Sequence, residues 1–271
     1  MFDRIFPPKQ IPLPSGKIVL EKHSRTPIIL LLVCLGIYFA LQLTQFNLSQ
    51  LLERWDQFFV IVADMLPPRW SHISTIWQPL LDTIKMSLLG SFIGALVALP
   101  IAYAASTNIV KQPVITGLAR VFLSLLRTLP SLVTALIATF IFGLGTFAGT
   151  IAICLFTLSY VGKLLYEQIE NADMGAYEAM ESLGMTKGQA FRQAIFPQIL
   201  PNYLSTSLFC FEGNVRYAAI LGYVGAGGIG LLLNEGLGWR DYAGVGMILL
   251  VLAITVLLIE SVSEHFRKKL L

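Results

Sequence analysis

The chain has 271 residues, of which 55% are hydrophobic and 13% charged, and its mean hydropathy is +0.71. Soluble globular domains carry about a quarter charged residues, so this composition excludes a soluble domain and predicts a membrane protein. The net charge of +3 is too small for a nucleic-acid-binding chain. Cys34, Cys154 and Cys210 lie in apolar stretches and predict neither disulfides nor a metal site.

The first 26 residues form a basic tail, and the charge-free run after them predicts a transmembrane helix at 27–44. A cleavable signal peptide is disfavoured because the apolar stretch begins only after 25 residues and lacks a small-x-small cleavage site. Residues 45–83 form an outer segment, and its three tryptophans predict a position along the membrane interface. A solvated loop is the alternative that the sequence leaves open for this segment.

Residues 84–166 are predicted to contain the second to fourth transmembrane helices, at about 84–105, 120–142 and 147–166. The uncharged run 128–162 would measure about 52 Å as one helix, which is too long for a single span. Glycines at 143, 145 and 149 supply a turn that divides this run into two helices. Two further spans, at 200–222 and 242–262, lie in the region 200–271 and bring the number to six.

The distribution of cations predicts the orientation of these spans. With the N-terminus in the cytoplasm, thirteen lysines and arginines fall inside and four outside, while Arg127 and Arg216 remain within spans. This asymmetry is typical of a protein whose N- and C-termini both face the cytoplasm. We therefore predict an all-α, polytopic membrane protein with six transmembrane helices and N-in/C-in topology.

A cytoplasmic region at 167–199 separates the fourth span from the fifth. Gly184 predicts the end of one short helix, and Thr186 with Gln189 has the spacing of a capping box for a second, which Pro197 is expected to close. We name residues 174–196 the elbow. Ala179 and Leu183 share one helix face that can dock in a groove of another protein, and a solvated connector is the alternative left open by periodicity alone.

The pattern Glu-Ala-x-x-x-x-Gly at 178–184, with Pro197 thirteen residues beyond it, resembles the EAA loop of ABC importer permeases. Met180 and Phe196 depart from the family pattern but stay apolar. In that family the loop is the coupling helix, which binds a cleft of the cytoplasmic ATPase subunit. The resemblance implies a coupling region in which we include Glu178, Ala179, Glu181, Gly184, Thr186 and Pro197.

A second stretch, Phe-Glu-x-Asn-Val-Arg at 211–216 leading into Val-Gly-Ala-Gly-Gly-Ile-Gly at 224–230, resembles the permeases of phosphonate ABC importers. This resemblance covers about 60–271 and implies the MetI-like permease fold, in a multi-pass protein of the cell inner membrane that is not itself an enzyme. It implies import of phosphonate by alternating access. The implied partners are a second copy of the chain, a cytoplasmic ABC ATPase dimer that binds ATP and Mg, an extracytoplasmic phosphonate-binding protein and the lipid membrane.

Two alternatives accompany this hypothesis. A permease of the same class for phosphite, a phosphate ester or another small solute would have the same sequence features. An ion-coupled secondary transporter would instead use Glu212 and the arginines as an ion relay. The chain has no G-x-x-x-x-G-K-[ST] loop for nucleotide phosphates, so we expect no cofactor on the chain itself.

Charged residues inside the predicted spans are the candidates for a pathway. Glu212 lies four residues before Arg216, which is the favourable order for an ion pair on a helix. A lone charge at the membrane centre costs about 2.5 to 3.5 kcal/mol on insertion scales, so these charges should face the bundle interior or water. They are expected either to contact an anionic substrate or to form a structural network. The pathway or gate candidates are Arg127, Pro130, Glu212, Asn214 and Arg216.

The glycine-rich stretch 222–230 also satisfies G-x-G-x-x-G, the dinucleotide-binding fingerprint. We reject that interpretation because the stretch follows a membrane helix rather than a strand and no nucleotide-binding unit surrounds it. Closely spaced glycines predict a broken or re-entrant segment near the outer mouth, with a flexible loop as the alternative. The residues concerned are Gly222, Gly225, Gly227, Gly228 and Gly230.

Overall fold

The computed structural model describes residues 10–12, 18–20 and 26–270. These described residues divide into two compact units, of which the first ends at Val60 and the second begins at Ile61. In the first unit, strands β1 (Gln10–Pro12) and β2 (Ile18–Leu20) pair antiparallel. They are the only strands in the described ranges, and the hydrophobic, partly β-branched sequence of β2 favours them. Most of the predicted tail 1–26 lies outside the described residues.

Three helices follow in chain order: α1 (Thr26–Leu43), α2 (Leu48–Glu53) and α3 (Trp55–Asp64). The 18 residues of α1 correspond to about 27 Å, close to the thickness of the hydrocarbon layer. The Asn47 side chain caps α2 by accepting hydrogen bonds from the Ser49 and Gln50 amides. The predicted outer segment 45–83 therefore contains two short helices as well as the start of the next long one.

The second unit is helical throughout its membrane part. A 3₁₀ turn (Trp70–His72) precedes the long helices, a second (Gly222–Val224) interrupts them, and a π segment covers Phe191–Ile195. The α-helices are α4 (Ile73–Ala105), α5 (Pro113–Thr128), α6 (Ser131–Phe142), α7 (Thr146–Glu170), α8 (Gly175–Ser182), α9 (Lys187–Ala190), α10 (Phe196–Leu221), α11 (Ile229–Gly238) and α12 (Tyr242–Leu270).

Within the described residues, single helices give three candidate spans, and the number rises to six if each bent pair is one span. Three stretches are long and apolar enough to cross a bilayer alone: Trp70–Ala105, α7 and α12. Three pairs are long and apolar enough when their two members are taken together, with bends of 67° in the pair within 28–64, 91° between α5 and α6, and 51° between Lys187–Val224 and α11. The prediction of an all-α protein with about six spans is confirmed, while the N-in/C-in orientation stays a prediction.

The third span differs from its prediction at 120–142, where one continuous helix was expected. The structure divides it, because α5 ends at Thr128 and α6 begins at Ser131 after an extended Leu129. The physical reason is Pro130, which has no amide hydrogen to donate and disfavours helical geometry at the residue before it. The 91° bend turns α5 away from the direction of α6.

The core of the second unit forms where α4, α7 and α10 pack side by side. Small residues allow α4 and α7 to approach closely: a Cβ atom added to Gly94 would lie 2.5 Å from the Cys154 carbonyl oxygen. Gly90 and Gly94 form a small-xxx-small pair that serves packing within the chain. This packed core supports the elbow at one end and the glycine-rich segment at the other.

Candidate functional site

The elbow is built around α8, whose two faces have different environments. On the inner face, Tyr177 is buried and only 3% exposed. On the outer face, Glu178 and Ala179 are exposed, and Leu183 is 77% exposed. The outer face of α8 is therefore free to contact another molecule.

Gly184 ends α8 as the sequence predicts. Its φ of +87° lies in the left-handed region, which is unfavourable for residues with a Cβ atom. Its amide donates to the Glu181 carbonyl at 2.9 Å, and the Met185 amide donates to the Met180 carbonyl at 3.2 Å. These two bonds form a Schellman motif, which satisfies the last carbonyls of the helix and fixes the direction of the following chain.

The second half of the elbow departs from its prediction. The Thr186 amide donates to Gln189 Oε1 at 3.0 Å, so the predicted cap is present at the start of α9. Pro197, however, does not close a separate helix, because α9 continues through the π segment into α10. In the π segment the Phe196 amide reaches back to the Phe191 carbonyl. Pro197 has no backbone N–H to donate, but it lies in the first turn of α10, directly after this wider turn. The helix therefore continues without that donor.

The inner face of the elbow and the long helices share one continuous apolar core. Side chains from α8, α9 and the π segment contact side chains of α4, α7 and α10 without a polar layer between them. The elbow contributes Tyr177, Ala190, Ala194 and Ile195, and the long helices contribute Ala98, Ala102, Val161, Leu165, Ile169 and Ile199. Close-packed interiors transmit displacement, so a movement of the elbow must shift the helices behind it.

Two polar side chains that the sequence analysis missed hold the turn at the start of the elbow. The Gln198 side chain accepts from the Asp173 amide at 3.1 Å and donates to the Asp173 carbonyl at 3.1 Å. From the turn that follows α4, the Asn108 amide group donates to the Ile169 carbonyl at 2.8 Å. The only sequence signal for these contacts is the occurrence of uncharged polar residues at helix ends.

Tyr177 also has a polar contact, because its hydroxyl donates to Glu181 Oε1 at 3.2 Å. Burial raises the pKa of Tyr177 to about 12, and the negative charge of Glu181, the hydrogen bond to it and nearby Tyr103 act in the same direction. The phenol therefore stays neutral and remains a donor at physiological pH. This contact accounts for the position of Glu181, which points along α8 rather than away from it.

Glu212, on α10, is buried within an ionic cluster. One carboxylate oxygen pairs with Arg216, as the sequence predicts, and the other lies 3.6 Å from Arg267 on α12. The Arg267 guanidinium also lies 5.7 Å from the centre of the Phe209 ring. The predicted network of Glu212, Arg216 and Arg127 thus has a different third member, because α12 packs beside α10 whereas α5 packs on α4 and α7.

Asn214 joins three helices through its side chain. Its amide nitrogen lies 2.8 Å from Ser91 Oγ on α4 and 2.8 Å from Thr157 Oγ1 on α7. Ser87 Oγ adds a weaker bond, at 3.4 Å, to the Asn214 backbone carbonyl. Because Asn214 is 1% exposed, these bonds lock α4, α7 and α10 together rather than line an open path in this conformation.

Arg127 and Pro130 lie away from both of these clusters. Arg127 is exposed near the end of α5 and, with Lys163 on α7, lines a cavity of about 100 Å³. Pro130 forms the bend between α5 and α6 and is exposed. The structure therefore distributes the five predicted pathway residues over three separate places.

The glycine-rich segment folds the end of α10 against the start of α11. A Cβ atom on Gly222 would lie 2.1 Å from the Gly230 carbonyl carbon, so only glycine permits this crossing. The Ile229 amide donates to Thr83 Oγ1 on α4 at 2.8 Å, and the Gly145 amide donates to the Gly225 carbonyl at 2.9 Å. Positive φ angles occur at Gly225, Gly227 and Gly228. The segment is a broken helix packed on protein rather than a free loop.

No group of three or more histidine, cysteine, aspartate or glutamate side chains with metal-binding geometry occurs in the part of the chain that the structure describes. The buried polar residues of the site instead pair with side chains of neighbouring helices.

Comparison with known proteins gives consistent matches. The profile of the family described as "Binding-protein-dependent transport system inner membrane component" matches residues 98–270. The phosphite transport system permease protein PtxC of Stutzerimonas stutzeri is 33% identical over 220 residues, which cover 81% of this chain and 80% of that protein. The phosphate-import permease protein PhnE of Mycolicibacterium smegmatis is 28% identical over 207 residues, covering 76% of this chain and 39% of that protein.

Among solved structures, the MetNI methionine ABC transporter in inward-facing conformations matches with a TM-score of 0.65 and 19% identity. The match covers 75% of this chain and 99% of that chain. At this identity the similarity concerns the fold, and it agrees with the predicted MetI-like architecture.

Proposed function

The chain belongs to the family of binding-protein-dependent transport system inner membrane components, and we propose that it imports phosphorus oxyanions, phosphonates in particular, with energy from a partner ATPase. It is the permease subunit, a multi-pass protein of the inner membrane, and family membership removes the ion-coupled carrier from consideration. The names of the relatives, a phosphite and a phosphate permease, support the substrate class. Phosphite, phosphate and phosphate esters are the alternative substrates within it.

The observation that carries the mechanism is the continuity of the elbow with the helix core. Leu183 and Ala179 face outward, while Tyr177 is buried in the same core as Leu165 and Ile199. A subunit that binds the outer face therefore moves α4, α7 and α10 when it moves the elbow. We assign the coupling contact to Glu178, Ala179, Glu181, Gly184, Thr186 and the segment that leads to Pro197.

In the proposed assembly, two copies of the chain enclose one pathway, and each elbow docks on one subunit of an ATPase dimer. ATP and Mg bind to those ATPase subunits, and an extracytoplasmic binding protein delivers the phosphonate. ATP binding closes the ATPase pair and favours the outward-open state, as alternating access requires of a ligand that shifts a conformational equilibrium. The glycine-rich segment, Gly222 to Gly230, lies at the opposite end of the bundle from the elbow, where it forms part of the outer mouth.

The buried polar residues have a gating role in this proposal. Glu212 is shared by Arg216 and Arg267, and Asn214 links α4, α7 and α10, so both sites resist helix separation. Rearrangement of these contacts during the transport cycle would define two discrete packings of the bundle.

The test uses the permease copurified with its ATPase, reconstituted into vesicles with the binding protein. Labelled methylphosphonate, phosphite and phosphate should enter only with ATP and binding protein present, and a proton gradient alone should drive no uptake. Glu178→Lys should abolish uptake and ATPase association while membrane insertion persists, because it reverses the charge on the elbow's outer face. Glu235→Lys, which changes an exposed carboxylate on α11, is the matched control and should retain both. Full coupled uptake by Glu178→Lys would contradict the coupling assignment.

A further inference from the structure

A cavity of about 100 Å³ between α5 and α7 is surrounded by cations and has no role in the coupling mechanism described above. We name it the basic cleft and define it by the residues that line it. They are Arg120, Leu123, Ser124 and Arg127 on α5, with Lys163 and Tyr166 on α7.

The helical repeat places these side chains together. On α5, positions 120, 124 and 127 recur at intervals of four and three, so they share one face, and 163 and 166 do the same on α7. Behind that face, Leu123 packs on Gly162, where an added Cβ atom would lie 2.9 Å from the leucine side chain. The glycine lets the two helices approach, so the polar side chains of both reach one small volume.

The charges around the cleft do not cancel. Arg120 pairs with Glu170, whose carboxylate also accepts from the Thr107 amide at 2.8 Å, and Lys163 lies 3.4 Å from Glu167. Arg127 makes no ion pair with any residue that the structure describes. Three cations and two carboxylates leave one positive charge in excess, which is unfavourable in a membrane bundle unless an anion or water compensates it.

The remaining groups in the cleft suit an oxyanion. Two guanidinium groups, an ammonium group, the Ser124 hydroxyl and the Tyr166 hydroxyl are all donors, and arginine matches the geometry of phosphoryl oxygens. The Arg120 guanidinium is held 4.9 Å from the centre of the Tyr166 ring. A volume of about 100 Å³ holds roughly three water molecules or one tetrahedral oxyanion. The Arg120 and Lys163 side chains are each 37% exposed, so a ligand can reach them.

We propose that the basic cleft binds a phosphoryl oxyanion, either substrate in passage or the headgroup phosphate of an anionic lipid. The choice of phosphorus chemistry rests on the proposed function, whereas the presence of an anion site rests on the charges and hydrogen-bond donors that line the cleft. Lys163 is two helical turns, about 10 Å, from Glu170, where α7 ends before the elbow. An oxyanion bound there lies next to the part of the bundle that the ATPase moves.

The experiment measures binding of labelled methylphosphonate, phosphite and phosphate to the permease–ATPase complex in nanodiscs of neutral phosphatidylcholine. Arg127→Gln and Lys163→Gln should each weaken binding at least about tenfold, since each removes a charge-assisted contact. Arg127→Lys keeps the charge but not the planar donor geometry, so it should lose less affinity than Arg127→Gln. Lys111→Gln is the control, because Lys111 is an exposed cation just before α5 that does not line the cleft.

A second arm identifies the lipid source. If free oxyanions do not bind, native mass spectrometry of the complex from anionic membranes should show bound anionic lipid that Arg127→Gln and Lys163→Gln lose and Lys111→Gln keeps. Either positive arm supports the basic cleft as a phosphoryl site. Equal oxyanion binding and equal lipid retention in all variants would overturn it.

The two proposals fail in different ways. A wild-type transporter that takes up none of the phosphorus compounds with ATP contradicts the proposed substrate. The wild-type transporter takes up these compounds in the other case. If Arg127→Gln and Lys163→Gln then retain wild-type uptake, oxyanion binding and lipid content, only the basic-cleft proposal is contradicted.

Discussion

The Tyr177 hydroxyl donates a hydrogen bond to Glu181 one turn further along α8, at 3.2 Å, while the Tyr177 ring is buried against the helix core. One residue thus fastens the elbow to the membrane helices and orients a carboxylate on it. Tyr177 precedes Glu178 directly, so the residue that anchors the elbow is adjacent to one that we assign to its docking surface.

This anchor has a predicted pH dependence. The pKa of Tyr177, raised to about 12 in the folded chain against an ordinary value of 10, means that folding favours the neutral phenol. Its contribution to stability is present below pH 10 and is lost as pH rises towards 12. The ultraviolet absorbance of tyrosinate is titrated in the wild type and in Tyr177→Phe, and the difference between the two curves reports Tyr177. This difference should show almost no tyrosinate below about pH 11. A difference signal that titrates near pH 10 would contradict the buried contact.

Gly184 should be intolerant of any side chain. Its left-handed backbone makes Gly184→Ala cost about 1 kcal/mol or more, and the Schellman motif should loosen. We expect ATPase association to fall while the amount of inserted permease stays unchanged. Gly188→Ala is the control, because Gly188 lies within α9 with open space around it. Equal copurification of the ATPase with both variants would show that the elbow does not need this turn.

Asn214→Leu should weaken the packing of the three helices that Asn214 joins. Interhelical hydrogen bonds in membranes average about 0.6 kcal/mol each, so the loss of the Ser91 and Thr157 contacts should cost about 1 to 2 kcal/mol. The measurement is thermal stability of the complex in detergent. Asn202→Leu, on an exposed position of the same helix, should change it less. A wild-type melting temperature for Asn214→Leu would show that apolar packing alone holds α4, α7 and α10 together.

Glu212→Gln should destabilise the bundle by about 2 kcal/mol, because it leaves Arg216 and Arg267 facing a neutral group. A double-mutant cycle with Arg267→Gln tests the pairing, and the double variant should lose less than the sum of the single changes. Glu264→Gln, which affects an exposed pair with Lys268, should have no measurable effect on stability. Additive losses in the cycle would mean that Glu212 and Arg267 do not interact.

Much of the fold follows from local sequence signals. Apolar runs of sufficient length predict the spans, and Gly184 and the Thr186 cap predict the shape of the elbow, because each depends on neighbouring residues only. The division of the third span at Pro130 has a local cause as well. The uncharged run that contains it hides the break, since hydropathy does not distinguish one straight helix from two bent ones.

Other features depend on contacts distant in sequence and could not be predicted. Arg267 reaches Glu212 only because α12 packs beside α10, and its position near the C-terminus suggests a solvated tail residue. Asn108 and Gln198 hold the elbow through hydrogen bonds to backbone groups that lie far away in sequence. The continuation of α9 into α10 past Pro197 requires the π segment, for which no composition signal exists.

The coupling contact itself is measured most directly by photo-crosslinking from position 183 in the assembled transporter, with position 223 near the outer mouth as the control. The coupling assignment requires a crosslink from 183 to the ATPase subunit whose yield changes with ATP, and none from 223. A transporter that hydrolyses ATP and imports substrate while position 183 crosslinks only to lipid, or not at all, would contradict it.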